Sequence, residues 1–167
     1  PTPFSTPVAN VFYGFARDRS VVCTLRPAGR GAMDVRKSVL NWVSDAVKDW
    51  GLQRAVVGEV DHGGRRVIQN ANYLDTMRQA RVVVTANPTG WEGDSRTWEA
   101  LASGACVMVD QMVVPLPFPL IDKVHVVYYD PMNKEDFLKK LRYYLDHPDE
   151  ARRIGLQGHA YATRHHR

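Results

Sequence analysis

RVVVTANPTGWEGDSRTWEALASGACVMVD, residues 81–110, decides the fold. Arg81 to Thr85 is a β-branched run that stops at the loop formers Asn87-Pro88-Thr89-Gly90, and Cys106 to Asp110 is a second run of nearly unbroken apolar residues. Between them Ser95 to Ser103 is helical in character, with Gly104 where a helix ends. Two strands joined through a helix run parallel, and strands apolar on both faces belong to a sheet covered on both sides.

The alternation extends in both directions. Upstream, Asn10 to Phe15 and Val21 to Leu25 are strand-like, and the second runs into the basic Gly/Pro loop Arg26-Pro27-Ala28-Gly29-Arg30-Gly31. Asp34 is placed to cap a helix whose Val35, Val39, Val43, Val47 and Trp50 recur at four-residue steps until Gly51. Ala55 to Gly58 is a short strand, Asp61-His62-Gly63-Gly64 a turn cluster, and Asn72 the expected cap of a helix with Tyr73, Leu74 and Met77. Downstream, Pro115, Pro117 and Pro119 force an extended segment before a strand over Val124 to Tyr129. Asn133 caps a helix from Lys134 to His147, and Pro148 separates it from a last helix, Asp149 to about Arg164. The pattern predicts an α/β fold, a Rossmann-like three-layer sandwich with a mostly parallel sheet. Residues 1–20 form an N-terminal extension and first strand, 21–150 the Rossmann-like domain and 151–167 a C-terminal basic helix.

The 167 residues are 44% hydrophobic and 24% charged, enough for one domain with a real core. No stretch approaches the ~20 apolar residues of a membrane span, and Pro1 to Pro7 lacks the marks of a signal peptide. A start at Pro rather than Met fits a processed product or part of a longer polypeptide. The net charge of +4 resides in residues 151–167, which hold Arg152, Arg153, Arg164 and Arg167 and no acidic residue. The rest balances, so the basic end reads as a solvated helix, and no nucleic-acid partner is expected. Cys23 and Cys106 read as buried thiols in a reducing compartment such as the cytoplasm. His62, His125, His147 and His159 are scattered and His165-His166 is terminal, so no metal site is expected.

In such sheets ligands bind where strand ends meet helix starts, because the free N–H groups and the positive dipole end face the crevice. Gly90 and Gly93 leave room for a ligand beside the backbone, and a helix begins at Asp94 or Ser95 with amides suited to phosphate. Arg96, Glu99 and Ser103 share one helical face, with Trp98, Leu101 and Ala102 opposite. An Arg there suits a phosphate and a Glu one turn on suits sugar hydroxyls; equally, the two side chains can form a solvated intrahelical pair.

The run from Tyr73-Leu-Asp-Thr-Met-Arg-Gln-Ala80 through Val82 to Pro88, then Glu92-Gly93, Arg96, Glu99-Ala100, Ala102-Ser-Gly104 and Val107, resembles the donor-binding (C-terminal) domain of GT-B glycosyltransferases. Within them it is most similar to the spore-protein-type glycosyltransferase-like branch and, more distantly, to exostosin-like enzymes. The resemblance covers about residues 54–165 and makes 21–150 a nucleotide-sugar-binding domain, one half of a GT-B fold. It implies that Glu99 binds the ribose hydroxyls of a UDP- or GDP-sugar and that Gly93, Asp94, Ser95 and Arg96 hold the diphosphate. Glu92 falls where retaining relatives place a catalytic acid, although its interval to Glu99 is one position shorter than usual. Arg30 and Lys37, with Arg26 a competitor, are nearest to the Arg/Lys pair that stabilises the leaving diphosphate without a metal.

The resemblance also implies transfer of a hexose-type sugar, with the acceptor domain supplied by a second Rossmann-like domain or a partner protein. The other reading is a catalytically inactive Rossmann-like module serving as a structural subunit or interaction domain. A response-regulator or flavodoxin-like domain fits less well, since Val21 to Gly31 offers arginines where an acidic pair or phosphate loop belongs.

Overall fold

Alternation along the first strand sets the layering: Val21 and Cys23 enter one apolar cluster and Val22 the other, all fully buried. The computed structural model describes residues 17–26, 34–58, 71–88 and 92–165. The expectations for Asn10 to Phe15, for Asp61 to Gly64 and for Arg30 fall outside the described residues.

In chain order the elements are β1 (Arg19–Cys23), α1 (Val35–Asp49), β2 (Val56–Val57), α2 (Ala71–Arg78), β3 (Ala80–Val84), α3 (Ser95–Ala102), β4 (Cys106–Asp110), β5 (Val127–Tyr129), α4 (Lys134–Asp146) and α5 (Pro148–His165). The sheet order is β2-β1-β3-β4-β5. All four pairings are parallel, where a mostly parallel sheet was expected.

Helices α1 and α4 pack on one face, through Val39, Val43, Phe137 and Leu141. Helices α2 and α3 pack on the other, through Met77, Ala100 and Leu101. Right-handed crossovers put α1 on the face opposite α2 and α3, because the chain moves one way from β1 to β2 and the other way from β2 onward. Caps fix the helix starts: the Asp34 carboxylate accepts from the Lys37 amide at 3.3 Å, and the Asn133 side chain from the Asp136 amide at 3.0 Å. Helix α2 begins at Ala71, so Asn72 lies inside it rather than capping it. The last strand is shorter than expected; Val124 and His125 belong to a turn, and Val126 makes only an isolated bridge with Asp122, its carbonyl accepting the amide of Lys123 (φ 58°) at 2.7 Å.

Helix α5 belongs to both layers. Ala151 and Ile154 join the α1/α4 cluster and Ala162 the α2/α3 cluster. Between them Gly155 passes against the backbone of Gly104 and Ala105, and Gly158 against that of His125. At the opposite end of the strands from their C-termini, the Arg17 guanidinium donates to the carbonyls of Arg78, Ala80 and Ser103 at 2.9, 2.9 and 3.0 Å. It thereby ties the ends of α2 and α3 to the start of β3, with a cation at the negative ends of two helices. Burial, and secondarily Arg152, lowers its pKa to about 10. Cys23 and Cys106 are free and buried, and burial pushes both thiols up to about 12.

The α5 dock carries a pH dependence. His125 is buried and stacked on Tyr161 (centroids 4.0 Å apart), and its Nδ1 accepts the Ile121 amide proton at 3.2 Å, so that nitrogen carries no proton of its own. Burial, then the neighbouring His165, lowers its pKa; burial likewise lowers that of His159, whose ring lies against the Leu101 carbonyl. The unfolded chain therefore binds more protons than the folded one below about pH 6.5, and stability falls with pH there. Melting temperature should hold between about pH 8 and 7 and drop from about 6.5 to 5. His125→Asn, whose amide oxygen can replace Nδ1 as acceptor, should flatten that drop.

Candidate functional site

The sheet order reverses between β1 and β3, and in open parallel sheets the crevice that takes a ligand lies beyond the C-terminal ends of the strands at such a reversal. The starts of α1 and α3 border it. From α1, Arg36 turns inward and is only 5% exposed. Its Nε donates to the Ala86 carbonyl at 3.0 Å and its Nη2 is ion-paired with Asp94 Oδ2. Burial lowers the Arg36 pKa, opposed first by Asp94. Asp94 occupies the N-cap position of α3 without making a side-chain cap bond. Its carboxylate serves instead as a bridge, reaching Arg36 on one side and Arg96 at 3.4 Å on the other. Arg96 keeps 27% of its side chain exposed, against 5% for Asp94.

One turn further along α3, Glu99 Oε2 accepts the Tyr73 hydroxyl of α2 at 3.0 Å. Burial and then the Glu99 carboxylate raise the Tyr73 pKa, so the phenol stays protonated and donates. Arg96 and Glu99 thus have separate partners, one toward the helix start and one toward α2, rather than forming only the isolated pair weighed above. The face that packs differs from expectation: Thr97, Ala100 and Leu101 are buried, while Ala102 is exposed and Ser103 is buried with its hydroxyl on the Ala100 carbonyl. The buried stripe is rotated toward Thr97, whose Oγ1 meets Thr85 Oγ1 at 3.2 Å.

At Gly93 the turn before α3 departs from the expected bare-amide arrangement; Gly90 lies outside the described residues. Gly93 has φ 91°, which favours glycine, but its amide and that of Asp94 both donate to Asn87 Oδ1, at 3.0 and 3.3 Å. Thr97 bonds back to the Asp94 carbonyl at 3.0 Å. The first-turn amides left without an intrahelical partner are those of Ser95 and Arg96. Glu92 lies at the rim, where its two carboxylate oxygens accept the amides of Val113 (2.8 and 3.0 Å) and Val114 (2.9 Å). Lys37 is exposed on the first turn of α1.

This constellation lies within a recognised family. The family model described as glycosyl transferase-like matches residues 36–167. The chain belongs to that family. No curated protein matches it. Among solved structures, sucrose-phosphate synthase from Thermosynechococcus elongatus is similar at 17% identity and a TM-score of 0.58, covering 93% of this chain and 43% of that one. HepE from Anabaena, in complex with UDP, is similar at 11% identity and TM-score 0.59, covering 93% and 47%. TarM is similar at 14% and 0.59, covering 92% and 33%. At these identities the likeness is one of fold, the Rossmann-like half expected above. The chain spans less than half the length of each of the three.

In this glycosyl transferase-like chain Arg36, Asn87 and Asp110 are bonded to the candidate site's turn and strand ends, a role that the sequence did not reveal. Arg36 stands beside Lys37, which the sequence pointed to; the helical phase turns Arg36 into the crevice wall and Lys37 outward. Asp110, at the end of β4, accepts from the backbone and side-chain nitrogens of Asn87 at 2.8 and 3.1 Å. Burial raises its pKa, opposed by those two bonds. Among the described residues no three His, Cys, Asp or Glu side chains converge as metal ligands, and no helix is long and apolar enough to cross a membrane.

Proposed function

We propose that this chain holds the nucleoside diphosphate of a sugar donor, a UDP- or GDP-sugar, in the crevice between the ends of β1 and β3. It is the donor-binding half of a glycosyltransferase that passes a hexose-type sugar to an acceptor held by a second Rossmann-like domain or a partner protein. The observation that carries this reading is the placement of Arg96 and Glu99 at that crevice, each already oriented, one by Asp94 and the other by Tyr73. Support comes from the family match and from a similarly folded protein, HepE, seen with UDP.

In this reading the Ser95 and Arg96 amides and the Arg96 guanidinium face the diphosphate, as at other helix starts that bind anions. Gly93 admits the ligand by lacking a side chain, Asp94 sets the aim of Arg96, and Glu99 accepts the ribose hydroxyls. Lys37 supplies further positive charge from the first turn of α1, and Arg30 remains the other basic residue of this reading, so the departing diphosphate is stabilised by protein donors and needs no metal. Glu92 sits at the sugar end as the catalytic carboxylate, anchored by the Val113 and Val114 amides.

UDP or GDP, added with EDTA, should raise the melting temperature of the chain; at ~100 times Kd the gain is about 2.7 kcal/mol. Arg96→Ala and Glu99→Ala should each abolish the shift while leaving the ligand-free melting temperature close to wild type. If no nucleotide in a panel moves the wild-type transition, the reading falls and the inactive-module alternative replaces it.

A further inference from the structure

The exit from β3 is fastened at three consecutive residues. The Thr85 carbonyl accepts the Tyr129 hydroxyl at 2.7 Å, the Ala86 carbonyl accepts Arg36 Nε at 3.0 Å, and the Asn87 amide donates to Asp110 Oδ1 at 2.8 Å. Each partner comes from a different element: β5, α1 and β4. Asn87 then has one further choice, which way its side-chain amide faces. A carboxylate can only accept, so Asp110 fixes the Asn87 Nδ2 toward itself, at 3.1 Å. The oxygen must face the other way, and there it collects the Gly93 and Asp94 amides. Both Asn87 and Asp110 are buried, at 4% and 8% exposure.

We infer that Asn87, oriented by Asp110, is a positioning residue that sets which donors of the 93–96 turn reach an anionic ligand. It draws the Gly93 and Asp94 amides inward and holds the Asp94 carboxylate where Arg36 and Arg96 share it, which leaves the Ser95 and Arg96 amides as the outward pair. This rests on the phosphate-binding reading proposed above. Neither Asn87 nor Asp110 touches the ligand; both act through the turn. The described residues between β3 and α3, 85–88 and 92–94, belong to no helix or strand, so side-chain bonds such as those of Asn87 hold this shape.

The test is titration of UDP, with EDTA present, into the intact chain while the backbone amide resonances of residues 93–96 are followed by NMR. In the wild type the Ser95 and Arg96 amides should shift with UDP, and those of Gly93 and Asp94 should stay nearly still and be protected from hydrogen exchange. Asn87→Ala should remove that protection and weaken UDP binding about tenfold, the effect of a lost buried hydrogen bond. Asn87→Asp puts two carboxylates in contact and should weaken binding similarly; adding Asp110→Asn to it, which restores a donor facing an acceptor, should recover most of the affinity. A merely structural role would lower stability in every variant without changing which amides respond. Unaltered UDP affinity in Asn87→Ala, or Gly93 and Asp94 amides that move as far as Ser95 and Arg96, overturns the inference and leaves the phosphate reading standing. A wild-type chain that binds no UDP or GDP overturns both.

Discussion

Arg36→Met should cost about 3–5 kcal/mol of folding stability, the loss that follows when one member of a buried ion pair is removed. The guanidinium satisfies the Ala86 carbonyl and the Asp94 carboxylate from a position 5% exposed. Its loss leaves Asp94, itself 4% exposed, with only Arg96 at 3.4 Å to offset its charge. Urea denaturation measures the effect. Lys37→Met, at the exposed neighbour, should stay within about 0.5 kcal/mol of wild type and serves as the control. Arg36→Met combined with Asp94→Leu should regain much of the lost stability, because an apolar pair avoids the stranded charge. The double variant should still bind no nucleotide, since Arg96 then lacks the carboxylate that aims it. A loss below about 1 kcal/mol in Arg36→Met would mean that the pair behaves as a solvated surface bridge.

The second large effect is at the α5 glycines. Helix propensity alone predicts that Gly158→Ala stabilises by about 1 kcal/mol. The structure predicts the opposite sign. A Cβ at Gly158 would come within 3.0 Å of the His125 carbonyl oxygen and of Leu101 Cδ2, and one at Gly155 would come as close to the Gly104 and Ala105 backbone. Backbone cannot rotate aside as a side chain can, so the helix must lift from the sheet. Overpacking of this kind costs 1–3 kcal/mol or more, and we expect about 3 kcal/mol for each Gly→Ala variant. Thermal or urea melts decide the sign. At the exposed Ala160 of the same helix the exchange runs the usual way, with Ala160→Gly costing up to about 1 kcal/mol.

Much of the architecture is legible in the chain because each element carries its own signal. The runs Val82 to Val84 and Cys106 to Val109 are apolar at both parities, which only a doubly covered strand needs. Asp34 and Asn133 name their helix starts, and the structure places both as caps. The end of the Pro-rich segment is less legible. Val124 to Val126 have strand composition, yet a turn over 121–125 and the Asp122 carboxylate on the Tyr128 amide delay pairing until Val127. At the site, Arg96 and Glu99 are found by local helical spacing. Asn87 and Asp110 are not, because 23 positions separate them and only the parallel register, Val84 beside Met108, brings them together. Arg36 is hidden for a related reason: a charged residue one step from Val35 looks solvent-facing until the end of β3 is placed against the first turn of α1.

The path of α5 has a consequence for how the protein is made. Ile154 completes one layer and Ala162 the other, so both sides of the sheet wait for the last segment of the described chain. During synthesis every strand leaves the ribosome before the helix that seals it, and the nascent sheet exposes apolar surface until residues near 162 emerge. A polypeptide halted at Asp146 would leave uncovered the part of each apolar layer that α5 seals, a target for chaperones or for other nascent chains. Any dissection of this protein into smaller parts must therefore keep residues 148–165 with the strands.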